Sequence, residues 1–297
     1  MNMKTICTAL ALFCLIILAS ACTFGQAPDN SKVKLVDDLP DSCMEYRNFR
    51  LAQDEFRDKE RCSKTGGKTP SRDGLTTLRA SGSSEFSKEG LAEIIGRIPA
   101  SAITVVDLRE ESHGFINDRP VSWEADKNAI NKGKNLAEIV KDEKTRLDDE
   151  VKKRGGIRSS YNEEELCRKL GVKYIRIPVT DFSRPEDSDV DYFIDFVRTL
   201  PPDTWLHFHC KAGAGRTTTF MVLYDMMRNA DKVSYEDIVV RQYIIGGSDL
   251  SGRETKGDAW FDVLARERNA FVKEFYRYCR DNRDGFRQSW SEWKKKN

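Results

Sequence analysis

The chain reads as an α/β domain built on a central, largely parallel sheet flanked by helices, and three observations carry that expectation. Short strand-like runs, Ile103-Thr104-Val105-Val106-Asp107-Leu108, Val172 to Pro178 and Trp205-Leu206-His207-Phe208, alternate with stretches of helical period. The last run passes through small residues and two glycines into Phe220-Met221-Val222-Leu223-Tyr224, too long and too rich in Met and Leu for another strand, so the stretch reads strand, tight loop, helix. The first run is continuously apolar and ends near an acid, Asp107, as expected of a buried parallel strand whose carboxyl end faces a cleft. Length and composition agree, since 297 residues with 39% hydrophobic content can bury a sizeable core. With 49 Lys and Arg against 48 Asp and Glu the formal net charge is +1, which argues against a nucleic-acid binder with a strongly basic face.

Taken in order, Lys4 precedes an apolar run from Ala9 to Leu18 and then Ala19-Ser20-Ala21-Cys22, the charged, greasy and small-residue parts of an export signal over residues 1–21. Leu18-Ala19-Ser20-Ala21-Cys22 resembles a bacterial lipobox, in which Cys22 would carry lipid and attach the protein to the cell envelope. Cleavage after Ala21 or Ala27, giving a secreted or periplasmic protein, is the alternative. Residues 22–38 read as a polar tether, with folded sequence from about Leu39 to residue 297. Apart from Cys22 and Cys210, the cysteines Cys43, Cys62, Cys167 and Cys279 allow two disulfides or reduced thiols.

Tyr46 to Arg50 and Leu75 to Ser83 look like two strands with a long connection. Ser87 caps a helix whose buried face is Leu91, Ile94 and Ile95. A turn at Asn117-Asp118 precedes Pro120 to Trp123, and the charge-rich stretch from Asn131 to Arg158 reads as a solvated helix face laced with ion pairs. A helix from Glu163 to Leu170 leads through Gly171 to the strand at 172–178. Val190, Phe193, Ile194, Val197 and Leu200 then trace one face of the next helix. Beyond 224 come a short helix over Tyr235 to Val240, a long one from about Trp260 that buries Leu264, Phe271, Phe275 and Tyr278, and an aromatic cap from Gly285 to Trp293.

Chemistry concentrates in Cys210-Lys211-Ala212-Gly213-Ala214-Gly215-Arg216-Thr217. Gly213 and Gly215 permit backbone angles that turn successive N–H groups inward, and the helix that follows adds its own unpaired N–H groups and positive dipole end. Such a loop cradles an anion. A thiol at its mouth meets phosphorus, which makes sulfur the nucleophile. A free thiol near pKa 8.5 is only about one part in 3,000 ionised at pH 5, and lowering it by about three units takes roughly 4 kcal/mol. The loop N–H groups, the dipole, Arg216 and the Thr217 hydroxyl supply that. Arg216 also offers a planar fork to two phosphate oxygens. The loop is not of the Walker nucleotide-binding type, because Gly215 is followed by Arg216-Thr217 and not by Lys and Ser/Thr. A thiolate that expels an alkoxide needs a proton donor, and Asp181, in the proline-bearing loop Val179 to Pro185, is the candidate. No His, Cys or carboxylate cluster shows metal-ligand spacing, so neither a metal site nor a cofactor is expected.

His209-Cys-x5-Arg216-Thr217 resembles the signature of cysteine-dependent protein tyrosine phosphatases, and the spelling HCKAGAGRTT is closer still to the bacterial tyrosine-phosphatase-like inositol polyphosphate phosphatases, the cysteine phytases. The resemblance covers nearly all of Leu39 to Trp293. It implies a small β-barrel-like accessory region, with strands from about 46–86 and 109–135, beside the central sheet. It also adds His209 to the catalytic group of Cys210, Arg216, Thr217 and Asp181. Asn48-Phe49-Arg50 implies a phosphate contact for Arg50, Asn131-Lys132-Gly133-Lys134 one for Lys134, and the position of Arg268 another. Lys211, where relatives commonly have Glu, would favour a polyanion. His113 falls in a family-like segment and is read as structural. Two departures stand out: Phe182 follows the acid where phytase-like members often carry His, and Phe261 follows Trp260 where they often carry Lys. The implied substrate is myo-inositol hexakisphosphate. An exported tyrosine phosphatase, or a non-catalytic module that binds inositol phosphates or phosphopeptides, are the alternatives.

Overall fold

In a computed structural model of the chain the described residues are 33–39, 45–56, 58–67, 69–125, 127, 130–251 and 257–297. The export segment, Cys22 and Cys43 lie outside them. In chain order the elements are β1 (Lys34–Asp37), β2 (Arg50–Leu51), α1 (Lys59–Lys64), β3 (Ala80–Ser84), α2 (Lys88–Arg97), β4 (Ile103–Arg109), β5 (His113–Ile116) and β6 (Arg119–Glu124). There follow α3 (Leu136–Lys153), β7 (Ser160–Tyr161), α4 (Glu163–Lys169), β8 (Lys173–Val179), α5 (Asp187–Thr199), β9 (Trp205–Cys210), α6 (Gly215–Asn229), α7 (Tyr235–Ile244), α8 (Ala259–Asp281) and α9 (Trp290–Lys296).

The central sheet has the order β2-β3-β9-β4-β8, with β3, β9, β4 and β8 parallel and β2 an antiparallel edge. Every residue of β4 and β9 is buried, as expected of strands covered on both faces. Alternate side chains serve the two layers. Val105, Ile103 and Trp205 pack with Leu91, Ile94 and Leu166 of α2 and α4, and Val106, Leu206 and Phe208 pack with Phe193 and Phe220 of α5 and α6. Helix α6 runs through this core and buries almost every residue from Arg216 to Met227. Ser87 caps α2 as expected, its side chain accepting from the Gly90 N–H.

The second sheet corrects the expectation of a barrel fed by 46–86 and 109–135. It is an open antiparallel sheet of order β1-β6-β5-β7. Only the block 109–135 contributes, through β5 and β6, whereas β2 and β3 join the central sheet. The reason lies in the small residues of β3, Ala80-Ser81-Gly82-Ser83-Ser84, all buried. A Cβ on Gly82 would lie 2.7 Å from both Met221 Sδ and Thr217 Cγ2, so the missing side chain lets α6 lie directly on β3. The end of the expected tether is likewise structured, since β1 pairs with Val121 to Glu124.

The charge-rich stretch forms α3, opened by a capping box between Asn135 and Glu138. Its face is not wholly solvated, because Ile139, Glu143 and Leu147 are buried, and Glu143 pairs with Arg176 at 2.8 Å. Cys62, Cys167, Cys210 and Cys279 are free thiols, so of the two alternatives for the cysteines these follow the reduced one.

Candidate active site

Strand β9 ends at Cys210, α6 begins at Gly215, and the four residues between them make the loop. Gly213 has φ +68, and a Cβ there would lie 2.3 Å from the Ser84 nitrogen, so only glycine fits. The outer side of the loop is held by two residues that precede β2 or open it. Asn48 Nδ2 donates to the Ala212 carbonyl at 2.8 Å, and Arg50 Nη1 donates to the Gly213 carbonyl at 2.9 Å. Across a trans peptide C=O and N–H point in opposite directions, so binding the Gly213 carbonyl outward turns the Ala214 N–H inward.

Arg50 was expected at the substrate and is found elsewhere. It is 2% exposed, with Nη1 also bonded to the Asn48 carbonyl at 3.0 Å and Nη2 to Thr218 Oγ1 at 3.1 Å. It braces the loop from below.

Thr217 Oγ1 donates to Cys210 Sγ at 3.1 Å. Burial pushes the thiol pKa up, but the Arg216 charge with the hydroxyl and N–H of Thr217 outweighs burial and the opposing Asp181, and the net shift is downward. Arg216 Nη1 and Nη2 grip the two carboxylate oxygens of Glu111 at 2.6 and 2.9 Å, and Nη1 also donates to the Val179 carbonyl at 3.1 Å. Its Nε makes no hydrogen bond. Burial alone would raise the pKa of Glu111, yet Arg216 and Arg109 hold it well below the usual carboxylate range. No local pattern singles out Glu111; a buried strand leading into two adjacent acids was the available signal.

Asp181 Oδ1 lies 3.3 Å from Arg216 Nη2 and accepts from the Phe182 N–H at 3.0 Å. Arg268 also reaches this place. Its Nη2 donates to the Phe182 carbonyl, and its Nη1 would lie 2.7 Å from a Cβ on Gly215. Burial and neighbouring Arg216 lower the Arg268 pKa, while Asp181 and Cys210 act the other way. Cys210, Arg216, Thr217, Asp181, Arg268 and the loop Ala212-Gly213-Ala214-Gly215 are thus brought together.

Lys211 and Lys134 are placed differently from expectation. Lys211 Nζ lies 3.0 Å from Asp38 Oδ1, donates to Ser122 Oγ at 3.2 Å and pairs with Glu124. It ties the loop to the second sheet instead of offering a free cation. Lys134 donates to Asn131 Oδ1 at 2.8 Å and lines a cavity of about 640 Å³ with Glu110, Lys132, Thr180 and Tyr192, beside the acid loop rather than at Cys210.

His209 lies beneath the loop, fully buried. Its Nε2 is 2.7 Å from Glu163 Oε1, its Nδ1 3.7 Å from Glu85, and its ring packs 4.8 Å from Phe86. Burial lowers its pKa, but Glu163, then Glu85 and Asp107, win and raise it to about 9. His113 is buried beside it, Nε2 3.3 Å from both Asp107 and Glu163; burial and the Arg109 charge lower its pKa, but Asp107 and Glu143 outweigh them and the net shift is upward.

Although no metal-like spacing is visible in the sequence, the fold gathers Glu85, Glu163 and His209, and Asp107, His113 and Glu163. Guanidiniums serve two of these acids, Glu85 and Asp107, while Glu163 faces the two imidazoles. Arg109 Nη1 lies 3.0 Å from Asp38 and 2.5 Å from Glu85, its Nε 2.9 Å from Glu111, and Arg176 lies 3.1 Å from Asp107.

A family model described as inositol hexakisphosphate, PTP-like phytase, matches residues 156–228. The chain is similar to the tandemly repeated protein tyrosine phosphatase like phytase of Mitsuokella multacida, at 38% identity and TM-score 0.79, covering 88% of this chain and 48% of that one. A second Mitsuokella structure, a PTP-like myo-inositol phosphatase in complex with myo-inositol-(1,3,4,5)-tetrakisphosphate, shows 37% identity, the same TM-score and the same coverage. The PTP-like phytase of Bdellovibrio bacteriovorus matches over 90% of this chain and 96% of its own, at 37% identity and TM-score 0.74. Effector protein hopD2 of Pseudomonas syringae pv. tomato is 28% identical over 253 residues, which are 75% of this chain and 53% of that protein. The chain therefore spans about half the length of hopD2 and of the Mitsuokella structures.

Proposed function

The chain belongs to the PTP-like phytase family, and on that footing we propose that it hydrolyses phosphate monoesters of myo-inositol hexakisphosphate through a cysteinyl-phosphate. The observation that carries this reading is the Thr217 hydroxyl 3.1 Å from the Cys210 sulfur, in a loop whose Arg216 has both terminal nitrogens fixed and Nε unbonded.

In the first step the Cys210 thiolate attacks phosphorus, an S–P bond forms, the P–O bond to the ring breaks, and the leaving oxygen takes the proton of Asp181. Arg216 and the inward loop N–H groups hold the charge spread over the transferring oxygens. In the second step water attacks phosphorus and gives its proton to the Asp181 carboxylate. The S–P bond then breaks, with its electron pair returning to sulfur. One water is consumed, one phosphate leaves, and the acid is restored.

The Mitsuokella protein bound to an inositol tetrakisphosphate supports this substrate class, and Arg268 beside Asp181 adds a second guanidinium for a polyanion. With export read at residues 1–21, the enzyme would meet its substrate outside the cytoplasm. One observation favours a second reading, a phosphotyrosine phosphatase: the Phe182 and Phe261 rings, 4.7 Å apart beside the acid loop, suit an aryl leaving group. Phosphate release from inositol hexakisphosphate and from a phosphotyrosine peptide, at equal concentration under reducing conditions, separates the two. Faster release from the inositol is expected. Preference for the peptide would keep the chemistry and discard the substrate, and release from neither would leave a binding module.

A further inference from the structure

The acid and the residue after it are held from three directions. Phe182 has φ +64, the left-handed region that a residue with a Cβ enters only when its surroundings impose it. Its N–H donates to Asp181 Oδ1 at 3.0 Å, its carbonyl accepts from Arg268 Nη2, and its ring stands edge-on to Phe261, centroids 4.7 Å apart and planes at 76°. Trp260 closes the group, 5.9 Å from Phe182 and 4.8 Å from Phe261, and the Lys127 ammonium sits 4.6 Å over the indole. Phe261 and Arg268, at i and i+7 on α8, share one helix face, so a single rigid element supplies the ring seat and the guanidinium.

We infer that Phe261, with Trp260, is a positioning residue for Asp181. A phenylalanine in the left-handed region reverts to an ordinary backbone conformation once its ring loses its seat. The peptide between 181 and 182 then rotates, and the carboxyl leaves its place 3.3 Å from Arg216 Nη2. The clamp thereby sets how well the proton reaches the leaving oxygen, and it acts on phosphoryl transfer rather than on substrate affinity. This rests on the reading of Cys210 as nucleophile and Asp181 as acid.

The test compares kcat/KM, which reports transfer to Cys210 alone, for phenyl phosphate and 2,4-dinitrophenyl phosphate in the unsubstituted protein, Phe261→Ala, Phe261→Tyr and Cys210→Ser. A poor leaving group needs the acid and a good one does not. Phe261→Ala should lower kcat/KM for phenyl phosphate roughly tenfold to a hundredfold, part of the ~10²–10⁴ that a general acid supplies, and that for the dinitrophenyl ester by less than about threefold. Phe261→Tyr, which keeps the ring, should restore the phenyl phosphate rate. An equal fall for both esters, no fall for either, a rise in KM with kcat intact, or no rescue by tyrosine would each overturn the clamp while leaving the mechanism standing. If the unsubstituted protein cleaves neither ester faster than Cys210→Ser, the mechanism itself fails and the clamp with it.

Discussion

Glu111 holds Arg216 by both terminal nitrogens, at 2.6 and 2.9 Å, and both side chains are almost fully buried. The carboxylate sets the plane of the guanidinium, whose Nε is left without a hydrogen bond. Glu111→Gln keeps the shape and removes the charge. Breaking a buried pair costs about 3–5 kcal/mol, so urea unfolding should show a loss near the lower end of that range, with kcat/KM falling at least about tenfold. Full activity in a well-folded variant would mean that Arg216 needs no such partner.

Cys210→Ser should abolish turnover while the thermal unfolding midpoint stays within a few degrees, because the change is nearly isosteric at a buried site. Residual turnover comparable to the unsubstituted protein would remove sulfur from the mechanism.

Lys211 spans from the loop to the second sheet, where Asp38 is buried beneath it. Lys211→Met leaves Asp38 with Arg109 and Ser122 as partners, so a stability loss of about 2 kcal/mol is expected, below the full cost of a broken buried pair. KM for inositol hexakisphosphate should change less than about twofold. A tenfold rise in KM with stability unchanged would return Lys211 to the substrate.

Stability should fall on the alkaline side. His209 has its folded pKa raised from 6.5 to about 9 by Glu163, Glu85 and Asp107 against the opposing effect of burial. Its contribution is therefore fully present below about pH 6.5 and is lost as pH rises through about 9. A shift of that size corresponds to something on the order of 3 kcal/mol. His113, also raised, acts in the same direction. Urea unfolding at pH 6, 7.5 and 9 should show the decline in the unsubstituted protein and a shallower one in His209→Asn, and parallel profiles would contradict it.

The Cys210 loop was legible in the sequence because its requirements are local. Cys210, Gly213, Gly215, Arg216 and Thr217 lie in one contiguous turn between a strand and a helix, and backbone geometry alone brings them together. Asp181 was legible for a related reason, as an acid just past the carboxyl end of a parallel strand. The strands of the central sheet announced themselves by continuous burial, and the one misplaced block, 46–86, carries β3, whose small residues give no apolar signal.

Tertiary structure decided which charges face the cleft and which support it. Arg50, Lys211 and His209 sit close in sequence to the loop or to its strand partners, yet pairing sends Arg50 beneath Gly213, Lys211 to Asp38 and His209 to Glu163. Sequence spacing cannot distinguish these fates, because a cationic side chain satisfies a substrate phosphate, a buried carboxylate or a backbone carbonyl equally well. Its choice depends on acceptors that the folded chain brings to it, carbonyls for Arg50 and acids for Lys211 and His209. The contact between Phe182 and Phe261 is of the same kind: two departures that look independent along the chain become one aromatic pair only when α8 packs against the acid loop.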